Sequence, residues 1–579
     1  MHIPSKTSRR TRRPASCHGL LAGLLVATTA WAADPPRLDY LSPIGGRRGT
    51  TVTITLGGNL KPWPVKVWTD ATGLTFKADE MKEGQITVEI AKDAPIGVHH
   101  LRIHNAEGAS WPRWFIVGHL PELNETEPND SLAEAQGLEQ LPVTLNGSFS
   151  KDSSEVDTFA VKLEAGQWVV ASAEAFNVGA PVDASIEILD ERDAVVAFNN
   201  DGDGLDPVLA YQAKRAGRFF VRIFGFWEPA RADVRYLSTQ SAVYRLTVTT
   251  GPYARYAVPA GVQRGRRSAV HLFGWNLGTT GNAIVRQVDA TGLGRDVDKL
   301  PVTGPDLANR LPLIVSDAVE VREAEPNDAR DQAVPLAPPC AVNGCVSTPG
   351  DEDRFALAMK KGQVCDLIVT AGALNSPLDA MLEIEDAAGN SVASNDDGGG
   401  KGDPKLRWTA PADGTYVAVV RDLIGTGGLE YVYRLEIKPP KPDFRATVSD
   451  HVFRMLPGKT AEMTVTVERI DGYKGAITAM VDGLPAGVTA TSATVPAKGG
   501  AVTLTLTAAE DAKPAGGPVR VLAVSTQADA PQVRVATAPF KSQTDPKAYA
   551  IDNTDKIWVA VTPKPPPPEP KEKPDEKKK

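Results

Sequence analysis

The sequence predicts an all-β protein made of tandem β-sandwich domains, some immunoglobulin-like and some jelly-roll-like. Residues 52–56 and 502–506 alternate apolar with polar side chains, which is the period of half-buried antiparallel strands. Clusters of Gly, Pro, Asn and Asp separate such runs at intervals of about eight to twelve residues. A chain of 579 residues is also too long for one core, so several domains are expected. Only Ser131 and Glu134 predict a helix start, through a capping box leading into one or two turns.

The first 32 residues predict a secretory signal peptide. They hold five basic residues and no acidic one, then an apolar stretch at 20–30, with Ala30 and Ala32 at the positions that a signal peptidase reads. General secretion with cleavage after Ala32 is favoured over twin-arginine export. An uncleaved membrane anchor would need roughly twenty apolar residues, and this apolar stretch is shorter than that. We therefore expect an exported protein (periplasmic, cell-surface or extracellular) with no transmembrane span.

Charge and cysteine content narrow the classes of partner. The whole chain has 63 basic and 71 acidic residues, and removal of the signal peptide makes it more acidic. This balance argues against a nucleic-acid partner and suits cation binding.

Cys340, Cys345 and Cys365 predict one disulfide with one thiol left over, and their spacing does not choose the pair. A zinc site would lack a fourth ligand in this stretch.

The chain contains a duplicated cassette. The pattern Glu-x-Glu-Pro-Asn-Asp occurs at 125–130 and again at 323–328. The segments before the two copies also correspond, since Asp-Ala-Thr-Gly-Leu at 70–74 is repeated at 289–293. Further matches follow the acidic segments in the same order: Asn146-Gly147 with Asn343-Gly344, Asp157-x-Phe159 with Asp353-x-Phe355, and Tyr244-Arg-Leu246 with Tyr433-Arg-Leu435. We infer that a two-domain cassette was duplicated and that a fifth domain follows it.

These repeats predict the following organisation: signal peptide 1–32, first domain 33–120, second domain 121–252, third domain 253–320, fourth domain 321–440, fifth domain 441–545, and a linker with a disordered Pro/Lys/Glu tail at 546–579.

Several of these segments resemble known families. Residues 41–60, with Gly-Gly-Asn-Leu at their end, resemble the opening of an IPT/TIG domain, and 253–320 resembles a degenerate second copy. The duplicated unit, with its acidic start, Asp-x-Phe strand and Asn-Asp-Asp-Gly loop, resembles the bacterial pre-peptidase C-terminal (PPC) domain over 121–252 and 321–440. Residues 443–545 look like the immunoglobulin-like module that follows such domains. The whole resembles a secreted bacterial multidomain protein.

The acidic segments predict two calcium sites. In an extended chain Glu125, Glu127 and Asn129 point to one side, and hard oxygen ligands without nitrogen or sulfur are typical of Ca²⁺. The resemblance to collagen-binding PPC domains implies the same site in both copies, with these ligands: Glu125, Glu127, Asn129, Asp130 and Asp157, then Glu323, Glu325, Asn327, Asp328 and Asp353. The alternative is a solvated acidic linker ending in a helix cap.

Two further loops, 199–206 and 395–403, are rich in Asp, Asn and Gly. Neither has the closing Glu of an EF-hand. Asx-rich hairpin loops have this composition for conformational reasons, so we favour a structural role for both.

The sequence shows no catalytic motif: it lacks Gly-x-Ser-x-Gly, His-Glu-x-x-His and a Walker loop. His99, His100 and His104 do not all share one face of a strand, which disfavours zinc chelation. We therefore expect a non-catalytic, calcium-stabilised binding or adhesion protein that recognises an extracellular or envelope polysaccharide or protein. The alternatives are an accessory protein that targets a secreted peptidase or glycosidase, and a divergent hydrolase. The tail at 563–579 contains only Pro, Lys, Glu and Asp, which favours a solvated end, and its surplus of Lys leaves contact with an anionic envelope as the alternative.

Overall fold

The all-β prediction is confirmed by a computed structural model of the chain. It describes residues 34–149, 155–228, 230, 236–278, 283–295, 297–398, 402–525, 531–540, 551 and 553–564. Apart from strands, these residues contain three single-turn 3-10 helices, Phe176–Val178, Arg330–Gln332 and Gly372–Leu374. None of the helices in the described ranges is long and apolar enough to cross a membrane. The predicted signal peptide and most of the predicted tail lie outside the described residues.

Unit 1 (37–118) is a sandwich of two antiparallel-rich sheets. Its strands are β1 (Arg37–Ser42), β2 (Gly45–Arg47), β3 (Thr51–Asn59), β4 (Lys66–Thr69), β5 (Leu74–Ala78), β6 (Gln85–Ile90), β7 (Gly97–Asn105), β8 (Gly108–Ala109) and β9 (Arg113–Gly118). The sheets have the orders β1-β3-β6-β5 and β2-β9-β7-β4. In β3, Ile54 and Leu56 are buried and Thr53 and Thr55 are exposed, as the alternation in the sequence predicts.

Unit 2 (122–249) contains two five-stranded sheets. Its strands are β10 (Glu122–Asn124), β11 (Gln136–Gly137), β12 (Val143–Ser148), β13 (Asp157–Leu163), β14 (Trp168–Glu174), β15 (Val182–Leu189), β16 (Val195–Asn199), β17 (Val208–Gln212), β18 (Gly217–Trp227) and β19 (Val243–Thr249). The sheet orders are β10-β12-β19-β14-β17 and β11-β13-β18-β15-β16. The helix expected after Ser131 is only a turn, because β11 starts at Gln136 and takes the chain into a sheet.

Unit 3 (253–316) is smaller than unit 1 but begins in the same way. Its strands are β20 (Tyr253–Val258), β21 (Gly261–Gln263), β22 (Arg267–Trp275), β23 (Ala283–Asp289), β24 (Lys299–Val302) and β25 (Leu311–Ser316). The sheets have three strands each, in the orders β20-β22-β23 and β21-β25-β24. A register shift interrupts β20 where one interrupts β1, and β21 pairs in parallel with β25 as β2 does with β9.

The hydrogen bonds of unit 3 correct one correspondence that the sequence suggested. The amide of Gly265 bonds to the carbonyl of Ala290, as the amide of Gly49 bonds to that of Ile90. The Asp-Ala-Thr-Gly segment at 289–292 therefore occupies the place of the end of β6, not the place of residues 70–73, which follow β4. Unit 3 thus has no counterpart of β4 and β5 among its described residues.

Unit 4 (319–438) repeats unit 2. Its strands are β26 (Val319–Arg322), β27 (Val334–Leu336), β28 (Cys340–Cys345), β29 (Glu352–Met359), β30 (Val364–Thr370), β31 (Ala380–Glu385), β32 (Ser391–Asn395), β33 (Lys405–Thr409), β34 (Gly414–Asp422) and β35 (Val432–Lys438). The orders β26-β28-β35-β30-β33 and β27-β29-β34-β31-β32 match those of unit 2 strand for strand. Cys340, Cys345 and Cys365 are free thiols, so the expected disulfide is wrong: Cys340 and Cys345 occupy the two ends of β28, and Cys365 lies on β30, with β35 between the two strands.

Unit 5 (443–561) closes the described chain. Its strands are β36 (Asp443–Val448), β37 (Val452–Met455), β38 (Thr460–Ile470), β39 (Thr478–Asp482), β40 (Val488–Ala490), β41 (Ala493–Thr494), β42 (Gly500–Ala508), β43 (Ala515–Ser525), β44 (Gln532–Val535), β45 (Ala538–Pro539), β46 (Asn553–Thr554) and β47 (Ile557–Val561). All five residues of β47 are buried, and β47 pairs with β37 and β43. The segment from 553 to 561 is therefore part of a sandwich, although the sequence placed it in a linker.

A buried arginine lies where each pair of neighbouring units meets. Arg245 of β19 is only 3% exposed and donates hydrogen bonds to both carboxylate oxygens of Glu122, in the same unit, at 2.8 and 3.1 Å. A Cβ on Gly45 would lie 2.9 Å from Arg245, which shows how closely unit 1 approaches this arginine. Arg434 of β35 makes the equivalent contact with Glu320 at 2.7 Å and also donates to the hydroxyl of Ser316, in unit 3, at 2.8 Å.

The first and last units also touch. Arg102 of β7 is fully buried, and its guanidinium donates to the backbone carbonyls of Ser110, at 2.7 Å, and Lys556. It lies over the ring of Trp558 at 5.6 Å, and the His104 ring packs on the same indole at 4.7 Å. Units 1 and 5 are therefore in direct contact.

Candidate metal centres

Each copy of the acidic segment forms a carboxylate cluster with a strand of its sandwich. Glu125 follows the end of β10, and its amide bonds to Asn146 of the neighbouring β12. Asp157 opens β13 in the opposite sheet. Carboxylate oxygens of Glu125, Glu127 and Asp157 all lie within 4.8 Å of one another. The structure thus brings together side chains that are about thirty residues apart in sequence.

The second copy has the same arrangement. Oxygens of Glu323, Glu325 and Asp353 lie within 4.8 Å of one another, with Asp353 near the start of β29. In both clusters the strand aspartate is buried, the first glutamate is half-buried and the second is exposed. One edge of each cluster is therefore open to solvent, so an ion can enter while the inner oxygens are withdrawn from water.

Crowding of these acids changes their proton affinity. Burial, together with repulsion from Glu127, raises the pKa of Glu125 to about 7, and burial and the charge of Glu125 hold the pKa of Asp157 well above its usual range. In the second copy, burial and repulsion from Asp353 raise the pKa of Glu323 to about 9. Three carboxylates held this close repel one another unless a cation or protons neutralise them.

A tyrosine supports each cluster from the adjacent strand. The Tyr244 hydroxyl donates to Oε2 of Glu125 at 2.9 Å. The Tyr433 hydroxyl donates to Oδ2 of Asp353 at 2.8 Å and approaches Oε2 of Glu323 at 3.4 Å. A Cβ on Gly147 would lie 2.2 Å from both the Glu125 carboxylate and the Tyr244 hydroxyl, so this position requires glycine. The repeats at 146–147 and 244–246 contained these residues, but their link to the site needs the strand pairing.

Unpartnered buried atoms test whether the residues fit an ion. Asn129 and Asn327 are 0% exposed, and neither side-chain amide has a hydrogen-bond partner. Both carboxylate oxygens of Asp157 and Oδ1 of Asp353 are buried without a hydrogen-bond partner as well. Buried polar atoms of this kind are costly unless something coordinates them. The donor set consists of oxygens and suits a hard cation such as Ca²⁺.

The remaining predicted ligands lie outside these clusters. Asp130 belongs to neither three-carboxylate group. The Asp328 carboxylate accepts a 3.4 Å hydrogen bond from the amide of Glu352, and its charge, after burial and Asp351, helps to raise the pKa of Glu325. The flanking acids Glu155 and Asp351 are buried beside the sites, where their charges help to raise the pKa values of Asp157 and Asp353.

The Asp-rich loops at 199–206 and 395–403 have structural contacts. The Asp206 carboxylate accepts backbone hydrogen bonds from Ala175, Phe176 and Asn177, which form the turn of the first 3-10 helix. Asp403 accepts equivalent bonds from Ala371 and Gly372. Both aspartates therefore use their oxygens to hold a turn, in agreement with the structural role favoured for these loops.

The histidine cluster of β7 does not form a metal site in the described residues. The His100 ring bonds to Asp70 at 2.7 Å, the His99 ring to the carbonyl of Pro95 at 2.9 Å, and the His104 ring packs on Trp558. Each of the three rings therefore has a different neighbour.

No protein-family model matches the chain. A probable subtilase-type serine protease of Deinococcus radiodurans is 34% identical to it over 130 residues, which are 21% of this chain and 18% of that protein. The match thus spans about a fifth of either protein. Part of this all-β chain is therefore similar to part of a protein described as a protease.

Proposed function

We propose that this chain is an exported, non-catalytic binding protein whose two carboxylate clusters each hold a calcium ion. The observation that carries the proposal is a three-carboxylate cluster with a buried aspartate that occurs twice. Its members are Glu125, Glu127 and Asp157 in one copy and Glu323, Glu325 and Asp353 in the other. The PPC identity of units 2 and 4, the IPT/TIG identity of units 1 and 3, and export by the predicted signal peptide are parts of this proposal.

The ion would have a structural role. Glu125 and Glu127 lie between β10 and β11, whereas Asp157 opens β13, which is in the other sheet from β10. A cation bound between them would tie the segment after β10 to β13 and neutralise the repulsion among the three carboxylates. The segment would then be held at this ion and, through Glu122 of β10, at Arg245, 2.8 Å away.

For the binding partner we propose an extracellular or envelope polysaccharide or protein. The sandwich units resemble modules of secreted binding proteins, and the acidic chain is poorly suited to nucleic acid. A second candidate is an accessory protein that targets a secreted protease, which is favoured by the partial similarity to a subtilase-type protease.

Calorimetric titration of the purified mature chain with Ca²⁺ tests the metal sites. We expect two calcium ions per chain and a melting temperature that falls with chelator. The double variant Asp157→Asn with Asp353→Asn should bind neither ion. Undiminished calcium binding in that variant would contradict the assigned ligands.

A separate experiment tests the partner. A glycan and extracellular-protein array, probed with and without Ca²⁺, should give a polymer ligand under the first candidate. Retention of a secreted subtilase on the immobilised chain, without array binding, would support the accessory role. Hydrolysis of casein or polysaccharide substrates by the purified chain would contradict both.

A further inference from the structure

Unit 3 leaves open an edge that unit 1 covers. In unit 1, β5 pairs along β6, so that Phe76 lies opposite Val88 and Lys77 opposite Thr87. In unit 3, β23 takes the place of β6, because Asp289 pairs with Arg267 as Glu89 pairs with Thr51. Within the described residues no strand pairs with the other side of β23, which ends its sheet.

The backbone bonds show which groups of β23 face this open side. In an antiparallel strand, successive residues direct their N–H and C=O groups to opposite neighbours. Ala290 directs both groups to unit 3's own ladder, since its amide bonds to Arg266 and its carbonyl accepts from Gly265. Asp289, Gln287 and Val285 therefore direct theirs outward, and the Val285 side chain is 51% exposed.

Of the four strands that end the described sheets of unit 3, β24 is protected more strongly than β23, where Arg286 donates a long 3.4 Å hydrogen bond to the Val285 carbonyl. The four-residue β24 contains Lys299 and Pro301, which are features that block pairing with another chain. The seven residues of β23 include neither Lys nor Pro. At this length β23 is longer than any other strand that ends a sheet in the described ranges. An edge of this kind is a template for a further strand.

We propose that β23 binds an extended segment of a partner polypeptide, which adds to the sheet as a strand. Unit 1 shows the side chains that such a segment needs. Leu74 and Phe76 of β5 turn inward and pack on the core, and Thr75 and Lys77 alternate with them. The partner segment would carry apolar residues at every second position, with the first two facing Ala290 and Val288. This surface is distinct from the metal centres.

A peptide with the sequence of residues 70–80 is the probe, because it contains β5 with its flanks. Fluorescence anisotropy of the labelled peptide should show saturable binding to the full mature chain, with or without chelator. Hydrogen exchange should show new protection of the amides of Val285, Gln287 and Asp289. A peptide of the same composition in scrambled order is the control, and failure of the authentic peptide to bind would overturn the proposal.

Two variants at one position distinguish the contribution of the backbone amide to peptide binding from that of the side chain. Gln287→Pro removes an outward N–H and leaves the bonds to β22 intact, so the peptide should bind about tenfold more weakly or worse. Gln287→Ala keeps the N–H and should bind as the native chain does. If the melting temperature shows that Gln287→Pro has lost its fold, Val285→Pro gives a second test of an outward amide.

The remaining outcomes also decide the matter. Equal binding of the peptide by the native chain and by folded proline variants would overturn the proposal. A dimer of the native chain in sedimentation analysis that Gln287→Pro dissociates would assign the edge to a second copy, and would overturn the assignment to a partner. Because peptide binding is measured with and without chelator, its failure is separate from a failure of the calcium sites.

Discussion

The Tyr244 hydroxyl donates a 2.9 Å hydrogen bond to Glu125, although the two residues are 119 positions apart. In the second copy, Tyr433 directs its shorter bond to Asp353, at 2.8 Å. The tyrosine thus makes its shortest hydrogen bond to a different carboxylate in each copy. A hydroxyl beside crowded acids favours the ionised form of the group that it contacts, which is the form that binds a cation.

We expect the double variant Asp157→Asn with Asp353→Asn to be at least as stable as the native chain without calcium and less stable than the native chain with calcium. Without calcium the variant should melt at the same temperature or higher, because a buried charge that the neighbouring glutamates repel is removed. With calcium the native chain should gain about 2.7 kcal/mol per site at a hundredfold excess over Kd, and the variant should gain nothing. Calorimetric melting measures both. Glu164→Gln, at an exposed position, is the control and should leave both values unchanged.

Tyr244→Phe should lower the free energy of unfolding by about 1–3 kcal/mol in the absence of calcium, because the half-buried Glu125 carboxylate loses a donor. It should also weaken calcium binding, since the pKa of Glu125 would rise further. Equilibrium denaturation and calorimetric titration measure the two effects. Tyr416→Phe is a matched control, because that hydroxyl donates only to the carbonyl of Ala412 at 3.2 Å. An equal loss in both variants would show that the effect is not specific to the site.

Arg245→Met should lower the free energy of unfolding by about 3–5 kcal/mol, because Glu122 is left in a largely buried position without its partner. Adding Glu122→Gln should recover part of this loss. A double-mutant cycle by denaturation measures the coupling. Arg37→Met, which breaks an exposed ion pair with Asp39, should cost less than about 1 kcal/mol. Additive effects of the two changes would mean that Arg245 and Glu122 do not act as a pair.

Asp206→Ala should destabilise unit 2 and leave the calcium response intact. The carboxylate accepts backbone bonds that hold residues 175–177, and their loss leaves these amides unsatisfied, at a cost of about 1–3 kcal/mol. Calcium titration of this variant should still give two ions per chain. Loss of one ion would show that the loop at 199–206 belongs to a metal site.

The contact between the first and last units should weaken in acid. Burial, with Lys66 and Arg102 nearby, lowers the pKa of His104 to about 4, whereas its ordinary value is 6.5. As the pH falls through this window the unfolded chain takes up the proton first, so the contribution of His104 to the free energy of unfolding should fall from about pH 6.5 and level off near pH 4. Thermal melting across this range should show a smaller loss for His104→Phe. His99→Gln, on the other face of β7, should retain the full dependence.

The sequence was sufficient for features that depend on local periodicity or on repetition. Strands such as β3 follow from an alternation that a few neighbouring residues define. The acidic segments at 125–130 and 323–328 could be recognised because each is contiguous and occurs twice. Asp157 was found because its Asp-x-Phe pattern is duplicated at Asp353. None of these signals requires knowledge of which strands are neighbours in a sheet.

The tertiary structure decided what depends on strand neighbours. It joined Tyr244 and Gly147 to Glu125, placed the Asp328 carboxylate at the amide of Glu352, left the three cysteines as free thiols and moved residues 557–561 from the predicted linker into a sheet. It also showed that the segment at 289–292 continues β23 and that this strand has an open edge. The physical reason is that in a sandwich adjacent strands are often remote in sequence, so contacts across a sheet follow from hydrogen-bond register and core packing, which no local pattern encodes.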